Sequence, residues 1–571
     1  MESTSVTTPE ALNEILLAGS KGVQDSYQRF RVQYPTRSMQ EVGITDTFMV
    51  AAQEKAQAGQ KNVEFLWSRK KQNGETYANF LYESKKGGTP DFQNILLAEH
   101  AKKLKTAAYY VIYDEQAVSW VNAIALTNYL NSGVSGGDVE SISNSVAANP
   151  MHIIIIGAGP AGLAAALALC QTTIQGSPPR ITILELRPKV ETLGGTILLT
   201  PLALRYLDAL GVGSRLRKLG IPVRGVEVVA LRTGRMLGQM FPGTDVLRVM
   251  RHHLVQCMVD VVAELPKDRV TLRYGARVTE IQQGDDHGDD EGKVHVDVQF
   301  DAERSQESIS GDILLGCDGI HSFVRTMVVD RERKKTYSGR AIAYGYVNCD
   351  SPGHIDVTTS NGRPVLRDTT MIQGQHGSFL MTYFEPTREK VYALAIIPMA
   401  ENEDAREGWK ALGEDKVTLK QDIVGRFEKG SIRGLEGIVN ECDWYFYPVY
   451  MLPPEGRWRK GGVLLLGDAA HAMPPQGEST GIAVEDGVLF AHVLGKGISK
   501  GVTSVMETYE ALRRHDIKNL HAETMFRWNA GSASSWLWSI TMELVTWVYL
   551  LLANYRQEDY FKRDVRSFKL P

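Results

Sequence analysis

"MHIIIIGAGPAGLAAALAL", residues 151–169, decides the fold. Four consecutive isoleucines, Ile153 to Ile156, form an apolar run ending on glycine, which reads as a parallel strand buried on both faces and entering a tight turn. Gly157, Gly159 and Gly162 follow in GxGxxG spacing. Gly157 permits the turn, Gly159 lets the backbone approach a pyrophosphate, and Gly162 lets the helix that Pro160 and Ala161 open pack against the strand. Free N–H groups and the helix dipole at that end attract phosphates. "RITILEL", 180–186, is a second strand that places Glu185 where a carboxylate meets ribose hydroxyls, with Arg187 just beyond. Strand, glycine turn, helix, strand and acid in this order predict a dinucleotide site in an α/β fold. The plainer alternative is a Gly/Ala-rich helix packed in an ordinary α/β core.

Working outward, 571 residues hold two or three domains. A net charge of -4 with no long basic block argues against nucleic acid as a partner. Five scattered cysteines without CxxC spacing indicate neither a disulfide framework nor a zinc site. A reducing, cytoplasmic location is expected, since the first residues lack the charged and apolar regions of a secretory signal. His471 and the His252/His253 pair have no ligand set beside them in the sequence, so no metal is expected.

Three further stretches bear on which dinucleotide is bound. "DILLGCDGIHSFVR", 312–325, is a strand followed by Asp318-Gly319 and a helix start bearing Ser322 and Arg325. "GGVLLLGDAAHAMPPQGESTGIAVEDGVLFAHVL", 461–494, is a strand ending on Gly467-Asp468, then a proline-bearing turn, then a helix from about Ser479. A carboxylate at the end of a buried strand suits the hydroxyls of a ribityl chain, and a helix N-terminus suits the negative charge of a reduced flavin ring. In "LRVMRHHLVQCMVDVV", 247–262, Arg251 opens a helix within reach of pyrophosphate oxygens.

Together these motifs resemble the group A FAD-dependent aromatic monooxygenases, of the salicylate hydroxylase and para-hydroxybenzoate hydroxylase type found in fungal secondary metabolism. The resemblance spans roughly residues 151–530. It matches Gly157, Gly159, Gly162 and Glu185 to the FAD adenosine motif, Asp318 and Gly319 to the DG motif, and Gly467 and Asp468 to the GD motif. Gly195 falls in register within "GGTILLTPLALRYLDALGV", 194–212. Where relatives carry PxQGxGxG this chain reads Pro474-Pro475-Gln476-Gly477-Glu478-Ser479-Thr480-Gly481, so Ser479 stands in place of a glycine over the flavin. The resemblance implies a Rossmann-like FAD domain of the GR2 type with an interleaved substrate sheet. It also implies NAD(P)H and O2 as co-substrates, and hydroxylation or epoxidation of an aromatic or polyketide-like molecule through a flavin C4a-hydroperoxide. A dehydrogenase or oxidase, or a non-catalytic flavoprotein with an N-terminal interaction module, would carry the same FAD motifs.

The expected divisions are an N-terminal α+β module at 1–130, a Gly/Ser/Asn linker at 131–150 and an FAD domain in two parts, 151–335 and 446–530. A substrate sheet at 336–445 and an apolar helical segment at 531–571 complete them. In the first module, residues 1–33 and 96–104 read as helical and 62–85 as two strands around an Asn-Gly turn. Alternating runs at 340–349, 369–385 and 390–399 read as strands with one apolar face, where Tyr346, His376 and Tyr383 are weak catalytic candidates against a bland core reading. "WLWSITMELVTWVYLLLANY", 536–555, is interrupted by Glu543 and falls short of the ~20 residues a spanning helix needs. It reads as a buried or partner-covered helix, with contact at a membrane surface as the alternative.

Overall fold

The computed structural model describes residues 150–570, apart from 175, 193, 285–291, 301–304, 402–404 and 531–534. It also gives the backbone of four short strands in the first 149 residues. The chain divides into two compact units, 1–148 and 149–571. In the first, Val63–Phe65 pairs antiparallel with Leu81–Glu83, and Tyr109–Tyr113 with Val118–Asn122. The helices and the Asn-Gly turn expected there lie outside the described residues.

The second unit is built on two large sheets, with three smaller ones of two or three strands beside them among the described residues. In the first, Val270–Tyr274, Arg180–Glu185, His152–Ile156, Ile313–Gly316 and Val463–Leu465 run parallel, with Arg459–Lys460 antiparallel at one edge. His152–Ile156 is buried along its whole length inside this sheet, its four isoleucines as an apolar run requires and His152 with its ring nitrogens at 2.6 Å from Ser310 O and 2.8 Å from Thr182 Oγ1. The helix Pro160–Cys170 leaves it with Pro160 at its start, where a missing N–H costs nothing, and with no side-chain cap on its free amides. It packs closely against Ser479–Gly497, where a Cβ at Gly487 would collide with the backbone of Ala164 and Ala165.

The second sheet has the order Met236–Met240, Val226–Ala230, Thr369–Gly374, Gly377–Tyr383, Lys390–Pro398, Thr336–Asn348, Tyr445–Met451. Two differences from the sequence reading stand out. The run 369–385 is a hairpin rather than one strand, because Gly374 and Gly377 bracket a tight turn holding Gln375 and His376. The two outer strands come from residues 226–240, far upstream of the expected 336–445, through a parallel pairing of Val226–Ala230 with Thr369–Gly374. The helix start expected after Gly319 is present and continues as a short π-helix, Arg325–Val329.

Register fixes which residues share a face. Tyr344 lies opposite Leu394 and Tyr445, Tyr346 opposite Tyr392, and Ile342 opposite Ile396 and Tyr447. Helices Val502–Ala530 and Trp536–Lys562 follow, and Met525 and Trp528 of the former pack on this face. Glu543, which breaks the apolar C-terminal stretch, pairs with Arg232 at 2.7 Å. Leu550 is buried, but Leu537, Trp538, Leu544, Trp547, Val548, Leu551 and Leu552 are exposed. Among the described residues no helix is long and apolar enough to cross a membrane.

Candidate functional site

A cleft of about 620 Å³ opens at the carboxyl ends of the parallel strands. Gly157, Gly159, Pro160, Glu185, Arg187, Arg251, Asp318, Gly319 and Asp468 line it, so the four separated motifs converge on one space. Its floor is backbone held by the sheet: the Gly157 amide donates to Leu184 O at 2.8 Å and the Cys317 amide to Ile156 O at 2.8 Å. Gly157 sits at φ +105°, and a Cβ there would strike Cys317 O. A Cβ on Gly162 would strike Gly157 O, so this glycine serves helix–strand contact. At Gly159, by contrast, nothing lies within 4 Å of the Cβ position, which leaves room for a ligand to approach the backbone.

Glu185 accepts from the Ala158 amide at 2.8 Å and the Arg187 amide at 3.0 Å, which fixes the carboxylate at the rim. One oxygen of Asp318 accepts from the amides of Phe323 and Val324 at 2.7 and 3.1 Å, while the other is buried without a partner. Burial pushes the Asp318 carboxyl above its ordinary value, only partly offset by these bonds. Burial also raises Asp468, against the pull of Arg251 and then His471. A cradle without side chains at Gly159, an uncapped helix N-terminus and two acids left short of partners fit the pyrophosphate and hydroxyl groups of a dinucleotide.

Behind the cleft lies a buried ion network that the sequence reading missed. Asp486 accepts from the Gly467 amide and His471 Nε2 at 2.8 Å each and from Arg513 Nε at 2.6 Å. Glu485 accepts from Arg513, from Arg563 at 2.6 Å and from the Tyr206 hydroxyl at 3.1 Å. Burial opposes the Asp486 charge, yet Arg513 and then His471 hold its carboxyl at about 2. The signal was Glu485-Asp486 inside the apolar run "GIAVEDGVLFAHVL".

The remaining expected residues lie around these two features. Ala161 packs beside Gly467, whose φ of +60° turns the chain into Asp468. Gly195 faces the Tyr392 ring and its carbonyl accepts from the Arg251 amide at 3.0 Å. Gly477 takes φ +92°, Ser479 and Thr480 begin a helix without a side-chain cap, and Gly481 lies against Ala203. Glu478 in the same loop pairs with Arg527 at 2.7 Å, both largely buried.

Of the catalytic candidates only Tyr346 joins the aromatic cluster on the inner face of the sheet. Its ring packs on Phe384 and Tyr392, beside Tyr344. The Tyr344 hydroxyl accepts from the Gly194 amide at 3.3 Å. Tyr447 keeps 37% of its surface accessible, and burial lifts its hydroxyl to about 12 against the pull of Arg251. His376 is exposed in the hairpin turn. Tyr383 points to the opposite face of the sheet, under Arg388, because it is odd in a strand whose even positions face the cluster. The structure brings neither to the site. Tyr344, Tyr392 and Tyr447 were readable as tyrosines at period two in strands. A second recess of about 100 Å³ on the same face joins Arg340, Gln373, Ser378 and Ile396 to Gln476 of the loop and to Arg527 and Trp528. Among the described residues no group of three or more His, Cys, Asp or Glu is placed to hold a metal ion.

The FAD binding domain family matches this chain over residues 150–407 and 455–524. FAD-dependent monooxygenase atnJ of Arthrinium sp is 23% identical over 378 residues, covering 66% of this chain and 83% of that protein. FAD-dependent urate hydroxylase of Klebsiella pneumoniae is 26% identical over 382 residues, covering 65% and 88%. Among solved structures, Klebsiella pneumoniae HpxO complexed with FAD and uric acid has a TM-score of 0.55 at 23% identity, covering 70% of this chain and 93% of that one. A salicylate hydroxylase substrate complex has a TM-score of 0.56 at 16% identity, covering 73% and 96%.

Proposed function

From the premise that the chain belongs to the FAD binding domain family, we propose that it is an NAD(P)H-dependent monooxygenase that hydroxylates or epoxidises an aromatic or polyketide-like small molecule. It is an FAD-dependent oxidoreductase, as its named relatives are. The observation that carries the reading is the convergence of Gly159, Glu185, Arg251, Asp318 and Asp468 on one cleft beside a tyrosine-lined sheet. FAD, when bound, supplies the hydride-accepting and oxygen-activating chemistry.

The residues have separable tasks. Glu185 holds the adenosine end, and the free amides after Gly159 together with Arg251 hold the pyrophosphate. Asp468 and Asp318 take the central hydroxyls. Gly477, Ser479, Thr480 and Gly481 would lie along the flavin ring when FAD is bound, and Glu478 in the same loop is tied to Arg527 of the helix Val502–Ala530. The sheet, with Tyr344, Tyr346 and Tyr392, orients the substrate and excludes water from the reacting face. The test is incubation with NAD(P)H and labelled O2 beside a metabolite comparison with and without the gene. One labelled oxygen atom in the product is expected, and an oxidised product without label would favour a dehydrogenase.

The domain divisions belong to the same proposal: residues 151–335 and 446–530 bind FAD and 336–445 cover the substrate, joined by the strands from 226–240. A chain beginning at Met151 is expected to fold and bind FAD in full, measured as bound flavin per protein. Flavin-free protein would show that the first module completes the fold. The exposed apolar face of Trp536–Lys562 supports peripheral contact with a membrane surface in the cytoplasm over a fully buried helix.

A further inference from the structure

The second recess is built by the register of the sheet. Ser378 lies opposite Gln373 and Ile396, and Val228 lies opposite Met371, two residues from Gln373, so all five share one face. Phe526 and Val545 of the last two long helices close the other side, and Gln476 joins them from the loop 474–481. Phe526 is half exposed, so the recess meets the surface beside these helices. Its volume of about 100 Å³ suits a single ring rather than a polycycle.

The polar groups around it fall into two kinds. The cations are engaged: Arg527 pairs with Glu478 at 2.7 Å, and Arg340 sits over the Trp528 ring and donates to Asn529 O at 3.2 Å. The uncharged groups are not. The Ser378 hydroxyl and the Gln476 amide have no hydrogen-bond partner among the described residues, and the indole N–H of Trp528 is enclosed without an acceptor. Among the described residues no Asp or Glu lines the recess. A wall with spare donors and no acid is unfavourable until a ligand oxygen accepts from it.

We propose that this recess holds a carbonyl oxygen of the substrate, which is then a neutral ring bearing a ketone or quinone, accepting from the Ser378 hydroxyl and the Gln476 side-chain amide. The proposal rests on the monooxygenase reading and narrows its substrate. Gln476 directly precedes the residues assigned to the flavin ring, so a ring held by it lies beside the reacting face. Val228, Met371 and Ile396 supply the apolar walls. An analogue with a methylene in place of the carbonyl leaves both donors unmet and binds less well. An anion gains little, because Glu478 already answers Arg527.

The test titrates the FAD-loaded full chain by calorimetry with acetophenone and with ethylbenzene, which differ only at the carbonyl. Acetophenone is expected to bind about 10-fold more tightly, the worth of one to two neutral hydrogen bonds. Ser378→Ala and Gln476→Ala should each weaken acetophenone about 3- to 10-fold and leave the order of ethylbenzene affinities unchanged. Val545→Trp, which fills the recess from the helix side, should abolish binding of both ligands. Without ligand, Ser378→Ala and Gln476→Ala should unfold at the wild-type temperature, since neither side chain bonds within the protein; a structural role would lower it. Equal affinity for the two ligands, unchanged acetophenone affinity in Ser378→Ala or Gln476→Ala, undiminished binding in Val545→Trp, or benzoate bound more tightly than acetophenone overturns the carbonyl subsite alone. A product without labelled oxygen overturns the monooxygenase reading and leaves the subsite's binding intact.

Discussion

Two pairs of enclosed acids lie on either side of the Gly467 turn, and they are treated in opposite ways. Glu485 and Asp486, behind it, have arginine, histidine and amide partners, and Asp486 is held at about 2. Asp318 and Asp468, in front, line the cleft, and burial raises both. Asp318 has one oxygen unpaired and Asp468 has no hydrogen-bond partner among the described residues. The rear pair completes its interactions on folding and belongs to stability. The front pair is left short of hydrogen-bond donors by the protein itself, which on the proposed reading assigns it to binding.

The comparison breaks first at Asp486. Asp486→Ala removes a partner of Arg513, of His471 and of the Gly467 amide at once, leaving a buried cation half-compensated. The expected cost is about 3–5 kcal/mol of unfolding free energy, read from urea denaturation. An Asp486→Ala protein as stable as wild type would show that the network is ornamental. Asp468→Asn should instead leave the flavin-free protein as stable as wild type or more so. It should weaken FAD by roughly 1.5–3 kcal/mol, read as lost flavin on dilution. Loss of stability without loss of flavin would merge the two classes.

The same contrast explains what the sequence disclosed. The front site was legible because its requirements are local: Gly157 must turn with positive φ, Gly159 must leave space, Glu185 ends a short strand, and Asp318 and Asp468 follow closely on the ends of two others. Such constraints leave marks at fixed spacing. The rear network was not legible, because Glu485 and Asp486 meet Arg513 and Glu485 meets Arg563 only once two helices and the C-terminal segment have packed. The sheet was half legible. Alternation showed its inner strands, but the pairing of Val226–Ala230 with Thr369–Gly374 spans more than a hundred residues and has no local mark. Tyr383 and His376 lie apart from the aromatic cluster for a related reason: alternation gives two faces without saying which residues share the inner one.

The smallest expected effect is a difference in pH slope. Asp486 is held at about 2, below the ordinary 3.8, so its stabilisation is present above 3.8 and is lost as pH falls through 2. Asp318 is raised above 3.8, so its contribution to the flavin-free protein is full below 3.8 and is lost as pH rises through its folded value. In flavin-free protein, Asp318→Asn should therefore gain on wild type between pH 4 and 7, because the amide has no charge to enclose. The gain is bounded by about 1.4 kcal/mol for each unit by which the carboxyl is raised. Urea midpoints at pH 4, 5.5 and 7 for both proteins measure it, and the two curves should converge toward pH 4. A variant that loses stability as pH rises toward 7 relative to wild type would mean that the Asp318 carboxylate is better satisfied when charged than its one unpaired oxygen indicates, and the front pair would then belong with the rear.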